Sequence, residues 1–146
     1  MDFFDAMNTS SAALSAQRLR MNLISGNLAN VNTTRTSQGG PYRRKEAVFA
    51  AQPLNQSFKR ILADRQNNTL ASVKVARVIE DRNPPVMKYD PQHPDADAKG
   101  YVAMPNINLM EEMVNMISAT RGYEANVTAL KAAKEMALKA LEIGRP

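Results

Sequence analysis

The C-terminal stretch Leu109–Ile143 constrains the fold more than any other part of the chain, because it reads as one long amphipathic helix. Taking positions at alternating steps of four and three gives a seam in which eight of ten residues are apolar or aromatic: Leu109, Met113, Met116, Thr120, Tyr123, Val127, Leu130, Lys134, Ala137 and Leu141. Side chains at this spacing share one face of a helix. A helix of this length would extend about 52 Å, so we expect its seam to need a partner helix.

Both ends of this helix carry boundary signals. Asn108 can accept hydrogen bonds from amides of the first turn, and Glu111 stands where a capping box places its carboxylate. Gly144, followed by Pro146, marks the other end. Local chemistry alone therefore predicts where the helix begins and ends.

A second helix is predicted over residues 7 to 30. Its apolar residues recur every seven positions, with Ile24 on the adjoining seam position: Met7, Leu14, Met21 and Leu28. Asn27 and Asn30 are expected to satisfy backbone groups that become free where the helix ends. The predicted fold is mainly α, with two long terminal helices pairing as a discontinuous antiparallel coiled coil and a small β-rich insert between them.

The sequence pattern in the middle of the chain predicts short strands. A β-like run covers residues 44 to 51, the best strand covers 72 to 80, and a returning strand follows a Pro-containing turn at 86 to 89. Residues 55 to 69 show no period and are predicted to form an exposed loop. We therefore divide the chain into an N-terminal helix (1–34), a loop and β insert (35–106) and a C-terminal helix (107–146).

Composition excludes several classes of protein. The chain has no Trp and no Cys, and its apolar residues include nine Met, which suits thin helix seams better than a thick interior. The absence of Cys excludes disulfides, thiolate metal sites and Cys nucleophiles. The N-terminus lacks the basic region and apolar run of a secretory signal peptide, and we expect no membrane span.

The net charge of +5 comes from the insert, where residues 35 to 106 carry twelve basic and seven acidic side chains. The side chains beside Lys45 could bind phosphates, and they are Tyr42, Arg43 and Arg44. The alternative is a solvated strand face or a contact to another protein. We favour the alternative, because no recognition helix or RNA-binding motif accompanies these charges.

The turn containing Asp90, His93, Asp95 and Asp97 offers oxygens and one imidazole that could meet a divalent ion. A Pro-punctuated turn whose carboxylates bind local amides explains the same residues, and we favour that interpretation. A single His without a partner Ser or Cys pattern cannot support a catalytic triad. The sequence predicts no catalytic residue, no metal site and no cofactor.

Four stretches carry a family resemblance: SGNLANVNTT at 25–34, GPYRRK at 40–45, DPQHP at 90–94 with GYVAMPNIN at 100–108, and MISATRGYEAN at 116–126. Together they resemble the flagellar basal-body rod protein family, and within it the proximal rod proteins. The resemblance implies a structural subunit without enzyme activity, which assembles into a helical tube that crosses the periplasm and transmits motor torque. It further implies export by the flagellar type III apparatus without a cleaved signal peptide.

The implied partners are the rod proteins FlgB, FlgF and FlgG, together with FliE, the export apparatus and further copies of the chain, with no nucleic acid and no direct membrane insertion. The helix seams would supply the subunit interface: Met7, Leu14, Met21, Ile24, Asn27, Leu28, Asn30, Leu109, Met113, Met116, Tyr123, Val127, Leu130 and Leu141. Tyr42, Arg43 and Arg44 would supply contacts from the insert. A basic nucleic-acid-binding module, or another helical adaptor, is the alternative function.

Overall fold

Two long helices flank a β-rich insert, which confirms the predicted fold class. A computed structural model of the chain describes residues 3–53 and 71–143. The elements in chain order are α1 (Phe3–Ala29), β1 (Lys45–Pro53), β2 (Ala71–Glu80), β3 (Val86–Tyr89), β4 (Tyr101–Met104) and α2 (Leu109–Ile143). The loop predicted over residues 55 to 69 and the end signal at residues 144 to 146 lie outside the described residues.

The two helices pack against each other in antiparallel orientation. Near the end of α1, the Asn27 Nδ2 donates to Glu112 Oε2 at 2.9 Å, and about two turns earlier the Arg20 Nη2 donates to Asn115 Oδ1 at 3.4 Å. The most deeply buried residues along the helices include Ala16, Ile24 and Ala119. Alanine on both helices leaves little side chain between the two backbones, so the helices can approach closely.

The helix ends follow the predicted local chemistry. Asn108 Oδ1 accepts hydrogen bonds from the amides of Met110 (3.1 Å) and Glu111 (3.4 Å), as an N-cap residue does. At the end of α1 the Asn30 side chain donates to the Gly26 carbonyl at 2.8 Å. Asn108 satisfies amides that have no partner inside their helix, and Asn30 adds a second donor to the Gly26 carbonyl, which also accepts the Asn30 amide at 3.1 Å.

Strands β1 and β2 form an antiparallel ribbon that packs against α1. The pairing runs from Lys45 opposite Glu80 to Pro53 opposite Ala71, with an irregularity between Val48 and Phe49. A two-stranded ribbon is marginal by itself, so it depends on the helix beneath it. The sequence placed both strands to within a few residues.

The strand predicted over residues 86 to 89 is confirmed as β3, but it does not return along β2. Strand β3 pairs with β4 in a second, separate two-stranded sheet, and the sequence analysis missed β4. Pro84 and Pro85 follow β2 and have no amide hydrogen to donate to a ladder along it. Gly100 leads into β4 with a φ of 80°, and an added Cβ would lie 2.9 Å from Tyr89 Cε2, so a side chain there meets both strain and a clash.

Candidate functional site

The most deeply buried polar side chains lie where the two helices meet the insert. Asn27 on α1 and Glu112 on α2 are each only 1% exposed. The residues just before β1 and at its start reach them from the insert. We name Asn27, Tyr42, Arg44, Lys45 and Glu112 the junction cluster.

Asn27 connects three parts of the molecule. Its Oδ1 accepts the Lys45 amide at 2.9 Å and the Tyr42 hydroxyl at 3.2 Å. Its Nδ2 donates to the Lys45 carbonyl at 2.9 Å and to Glu112 Oε2 at 2.9 Å. The amide therefore uses both of its hydrogens and accepts two hydrogen bonds, which is its full capacity.

This arrangement corrects the role predicted for Asn27. The side chain does not satisfy the backbone at the end of its own helix, because it is aimed across to β1, where it pairs with the backbone of Lys45 like a neighbouring strand. Asn30 alone of the two performs the predicted helix-end role. The tertiary contact with β1 therefore gives Asn27 a role different from that of Asn30.

Glu112 forms the charged half of the cluster. Its Oε1 accepts from Arg44 Nε at 2.7 Å, and Arg44 Nη1 also reaches Glu46 Oε2 at 3.2 Å. A buried charge is tolerated only when it is paired and hydrogen-bonded, and both carboxylate oxygens of Glu112 have donors. Glu112 therefore ties the insert to α2.

The electrostatics of the cluster shift two pKa values. Burial disfavours the charged form of Arg44, but the hydrogen bond and charge of Glu112, helped by Glu46, outweigh it and raise the Arg44 pKa above its ordinary value. Burial also raises the pKa of the Tyr42 phenol, against the opposing charge of Lys45. Both shifts favour the protonation states that the hydrogen bonds require at neutral pH.

The cluster has the properties of a structural lock. Each polar atom of Asn27 and each carboxylate oxygen of Glu112 already has a partner within the chain. A satisfied buried network fixes one arrangement of the elements that contribute to it. We conclude that it sets the position of the insert on the helix pair.

The basic run is mostly occupied within the chain. Arg44 pairs with Glu112 and Glu46, and Lys45 Nζ lies 3.5 Å from Glu80 Oε1. Arg43 is exposed and forms no ion pair within the part of the chain that the structure describes. The pairing of Arg44 and Lys45 accounts for these charges without a phosphate ligand.

The Asp-rich turn is held by local hydrogen bonds. Asp97 Oδ1 accepts the amides of Lys99 and Tyr101 at 2.8 and 2.9 Å. His93 Nδ1 accepts the Asp95 amide at 3.1 Å, and Asp95 Oδ2 accepts the Thr34 hydroxyl at 2.8 Å. Among residues 3–53 and 71–143, no three His, Cys, Asp or Glu side chains are grouped to hold a metal ion.

The structure distributes the predicted interface residues over three levels of exposure. Ile24 and Asn27 are buried. Leu109, Met113 and Leu141 are exposed, as is Arg43. The half-buried residues are Met7, Leu14, Met21, Leu28, Asn30, Met116, Tyr123, Val127 and Leu130, together with Tyr42 and Arg44.

The sequence analysis missed the residues on either side of the seam. Glu112 continues the spacing of Met116, Ala119 and Tyr123 and could have been placed on the buried face by that pattern. Its charge argued against burial, and its partner Arg44 is 68 residues away. Met110, Val114 and Ile117 lie on the other side of α2 and are exposed.

Comparisons with known proteins agree with this architecture. The model of the flagella basal body rod protein family matches residues 7–35, which span most of α1, and the model described as flagellar basal body rod FlgEFG protein C-terminal matches residues 98–143, which span β4 and α2. Full-length relatives decide the family. A flagellar basal-body rod protein FlgC of Borreliella burgdorferi is 48% identical over 98% of this chain and 98% of its own length.

The chain belongs to the FlgC family of flagellar basal-body rod proteins. FlgC proteins of Bacillus subtilis and Escherichia coli O157:H7 are 46% and 39% identical, each over 99% of this chain and 100% of the relative. Membership makes the chain a structural protein of the flagellar rod. No helix in the described parts of this FlgC family member is long and apolar enough to cross a membrane.

Proposed function

We propose that this FlgC family member assembles, through the outer surfaces of its helix pair, into a helical tube that crosses the periplasm and transmits motor torque. The observation that carries the proposal is the exposure of large apolar side chains along α2, including Met110, Val114 and Leu141. Apolar surface of this kind is typical of a protein–protein interface. Neighbouring subunits would remove it from water.

The three segments would have different roles in the tube. The helical segments 1–34 and 107–146 would build the wall of the tube, and the insert 35–106 would project from it. The junction cluster supports this division, because Arg44 and Asn27 fasten the insert to both helices. Torque applied to one part would then reach the other without a change of angle between them.

The subunit interface would include the predicted seam residues that a single chain leaves half-buried or exposed. Contacts between copies would be heterologous, and head-to-tail repetition with a rotation that does not close gives a helical assembly. FlgB, FlgF, FlgG and FliE are the proposed partners in the rod. The subunit would leave the cell through the flagellar type III export apparatus, keeping its N-terminus, and it would need no cofactor and perform no catalysis.

A paired substitution tests this function. Leu130 is half-buried on the seam of α2, and Glu135 is exposed. Truncating a well-buried Leu costs about 2 to 5 kcal/mol, so the half-buried Leu130→Ala should lose about 2 kcal/mol, whereas Glu135→Ala should be nearly silent. We expect Leu130→Ala cells to export the subunit and swim poorly.

Export into the medium and swimming are measured in the same cells, which carry no other copy of the gene. Normal swimming by Leu130→Ala cells with impaired swimming by Glu135→Ala cells would show that the assembly surface has been assigned to the wrong face. Normal swimming by cells lacking the protein altogether would refute the rod function itself.

A further inference from the structure

A groove lies at the end of the β1–β2 ribbon where β1 begins and β2 ends. It is lined by residues 77–83 and by residues on either side of the start of β1. Its volume is about 850 Å³, which is far more than a single bound ion would fill and is in the range of sites that hold larger ligands. We name it the ribbon groove.

The carboxylates of the ribbon groove are occupied within the chain. Glu46 and Glu80 form the ion pairs with neighbouring cations described above. Both oxygens of Asp81 accept hydrogen bonds from Asn83, one from its amide at 2.9 Å and one from its side chain at 3.2 Å. The acidic residues of the lining therefore have little capacity left to neutralise further cations.

Three arginines of the same lining have no such partners. Arg43, Arg77 and Arg82 are exposed, and none forms an ion pair or a side-chain hydrogen bond within residues 3–53 and 71–143. Each guanidinium carries a permanent charge and five N–H donors. Tyr42 and Arg44, the other two insert contacts expected from the sequence, bond within the chain instead. The groove thus presents donors that call for acceptors from outside the described chain.

Two of these arginines face each other across the ribbon. The β1–β2 register continues beyond the strands, since the Asp81 amide donates to the Arg44 carbonyl at 2.8 Å. One step further along the same register sets Arg43 opposite Arg82. Like charges directly opposite each other are destabilising in a sheet. An anion bound between the two guanidinium groups would remove this repulsion.

Apolar side chains accompany the arginines. Val78 and Ile79 are 44% and 39% exposed and line the same groove. Arginine combined with exposed apolar surface is typical of protein–protein interfaces. A single-stranded nucleic acid is usually held by aromatic side chains on which its bases stack, and no aromatic residue is among the described residues of this lining. The composition therefore favours a protein partner over a polynucleotide.

We propose that the ribbon groove binds an acidic segment of another protein. The guanidinium groups of Arg43, Arg77 and Arg82 bind its carboxylates, and Val78 and Ile79 pack on apolar side chains between them. This inference goes beyond the proposed assembly, which uses the surfaces of the helix pair. It would stand if that assembly failed.

A groove variant and a charge-matched control variant test the contact. The groove variant removes the three unpaired guanidinium groups: Arg43→Gln, Arg77→Gln and Arg82→Gln. The control variant removes the same charge from exposed lysines that lie outside the groove: Lys74→Gln, Lys88→Gln and Lys99→Gln. The two variants have equal net charge, so they separate the groove from a general attraction between the basic chain and an acidic ligand.

Binding is measured by fluorescence anisotropy at physiological salt. The probe is a short fluorescein-labelled peptide in which Glu alternates with Ser and Val, and the same peptide with Gln in place of Glu is its control. The wild-type chain should bind the Glu peptide and not the Gln peptide. The groove variant should bind the Glu peptide about tenfold more weakly, because three charged contacts are lost together, and the control variant should bind it within about twofold of the wild type.

Far-UV circular dichroism and the urea midpoint of the groove variant should match those of the wild type, because the three arginines are exposed and unpaired. A lower midpoint would overturn the proposal by showing that they serve their own fold. Equal losses of peptide affinity in the two variants, or no binding by the wild type, would also overturn it. Tighter binding of a labelled oligothymidylate than of the Glu peptide, lost in the groove variant, would assign the groove to a polynucleotide instead.

Discussion

Glu112 of the junction cluster lies in the first turns of α2, as do the exposed apolar residues Met110, Met113, Val114 and Ile117, which we name the start patch. The chemistry of the two is the reverse of the usual arrangement. Glu112 is charged and 1% exposed, whereas Met110 is apolar and 67% exposed. Soluble monomers usually bury apolar groups and leave charges in water. The inversion supports the proposal that one side of the helix serves contacts inside the subunit and the other serves contacts between subunits.

The two regions also differ in how many of their groups have partners within the chain. The junction cluster leaves no hydrogen-bonding atom of Asn27 or Glu112 without a partner. The start patch leaves 46% to 67% of each apolar residue exposed to water. Substitutions in the first region should therefore change the stability of the single chain, and substitutions in the second should change association alone.

The largest expected effect is that of Glu112→Ala. It leaves Arg44 and the Asn27 amide without their shared acceptor, and breaking a buried ion pair from one side costs about 3 kcal/mol or more. Arg44 keeps Glu46 and some solvent, so we expect the lower end of that range. Urea unfolding followed by circular dichroism measures the loss, and exposed Glu124→Ala is the control. A loss below about 0.5 kcal/mol, the level typical of a surface substitution, would contradict the lock.

Tyr42→Phe should have the next largest effect. It removes the hydroxyl that donates to Asn27 Oδ1 at 3.2 Å and leaves the rest of the ring in place. A net loss of about 1 kcal/mol is expected for one neutral hydrogen bond. Equilibrium unfolding measures it, with Tyr89→Phe on the exposed β3 strand as the matched variant. Equal losses of unfolding free energy from the two substitutions would show that the Tyr42 hydroxyl contributes nothing to the cluster.

Tyr42 also predicts a dependence on high pH. Its pKa is raised in the folded chain relative to an ordinary value of 10.0, so the folded state holds the phenol proton more tightly than the unfolded state. The corresponding stability is fully present below about pH 10 and is lost as the pH rises through the folded pKa. Ultraviolet titration of tyrosinate should show one late-titrating group in the wild type that is absent from Tyr42→Phe.

A smaller effect is expected from Lys45→Ala. Its ammonium lies 3.5 Å from Glu80 Oε1, and the two side chains are 41% and 49% exposed. Exposed pairs contribute about 0.2 to 1 kcal/mol, and the backbone contacts of Lys45 to Asn27 survive the substitution. Unfolding at low and high salt measures the pair. A salt-independent loss above about 1 kcal/mol, the upper limit for such pairs, would show that the Lys45 side chain stabilises the fold by something other than the ion pair.

The smallest effect on the single chain should come from Val114→Ser in the start patch. The side chain is 65% exposed, so we expect a change within about 0.5 kcal/mol in monomer unfolding. Association of the same variant, measured by sedimentation, should weaken. A large loss of monomer stability would show that the patch contacts part of its own chain.

The sequence predicted the elements that depend on interactions between residues close together in the chain. Helix α2 begins after Asn108 because a capping side chain and a periodic apolar run stand side by side there, and β2 was found from its run of Val and Ile. Strand β4 was missed because it has only four residues and no pattern of its own. Its existence depends on β3, which the turn through Gly100 brings alongside it.

Tertiary structure alone decided the contacts of the candidate site. Asn27 and Glu112 are 85 residues apart, and Arg44 and Glu112 are 68 apart, so no local periodicity links them. A charged residue on a helix is usually solvated, and only the approach of α1 and the insert makes Glu112 a buried partner. Sequence fixes a helix through interactions between residues three and four apart, whereas the role of each of its faces is set by what folds against it.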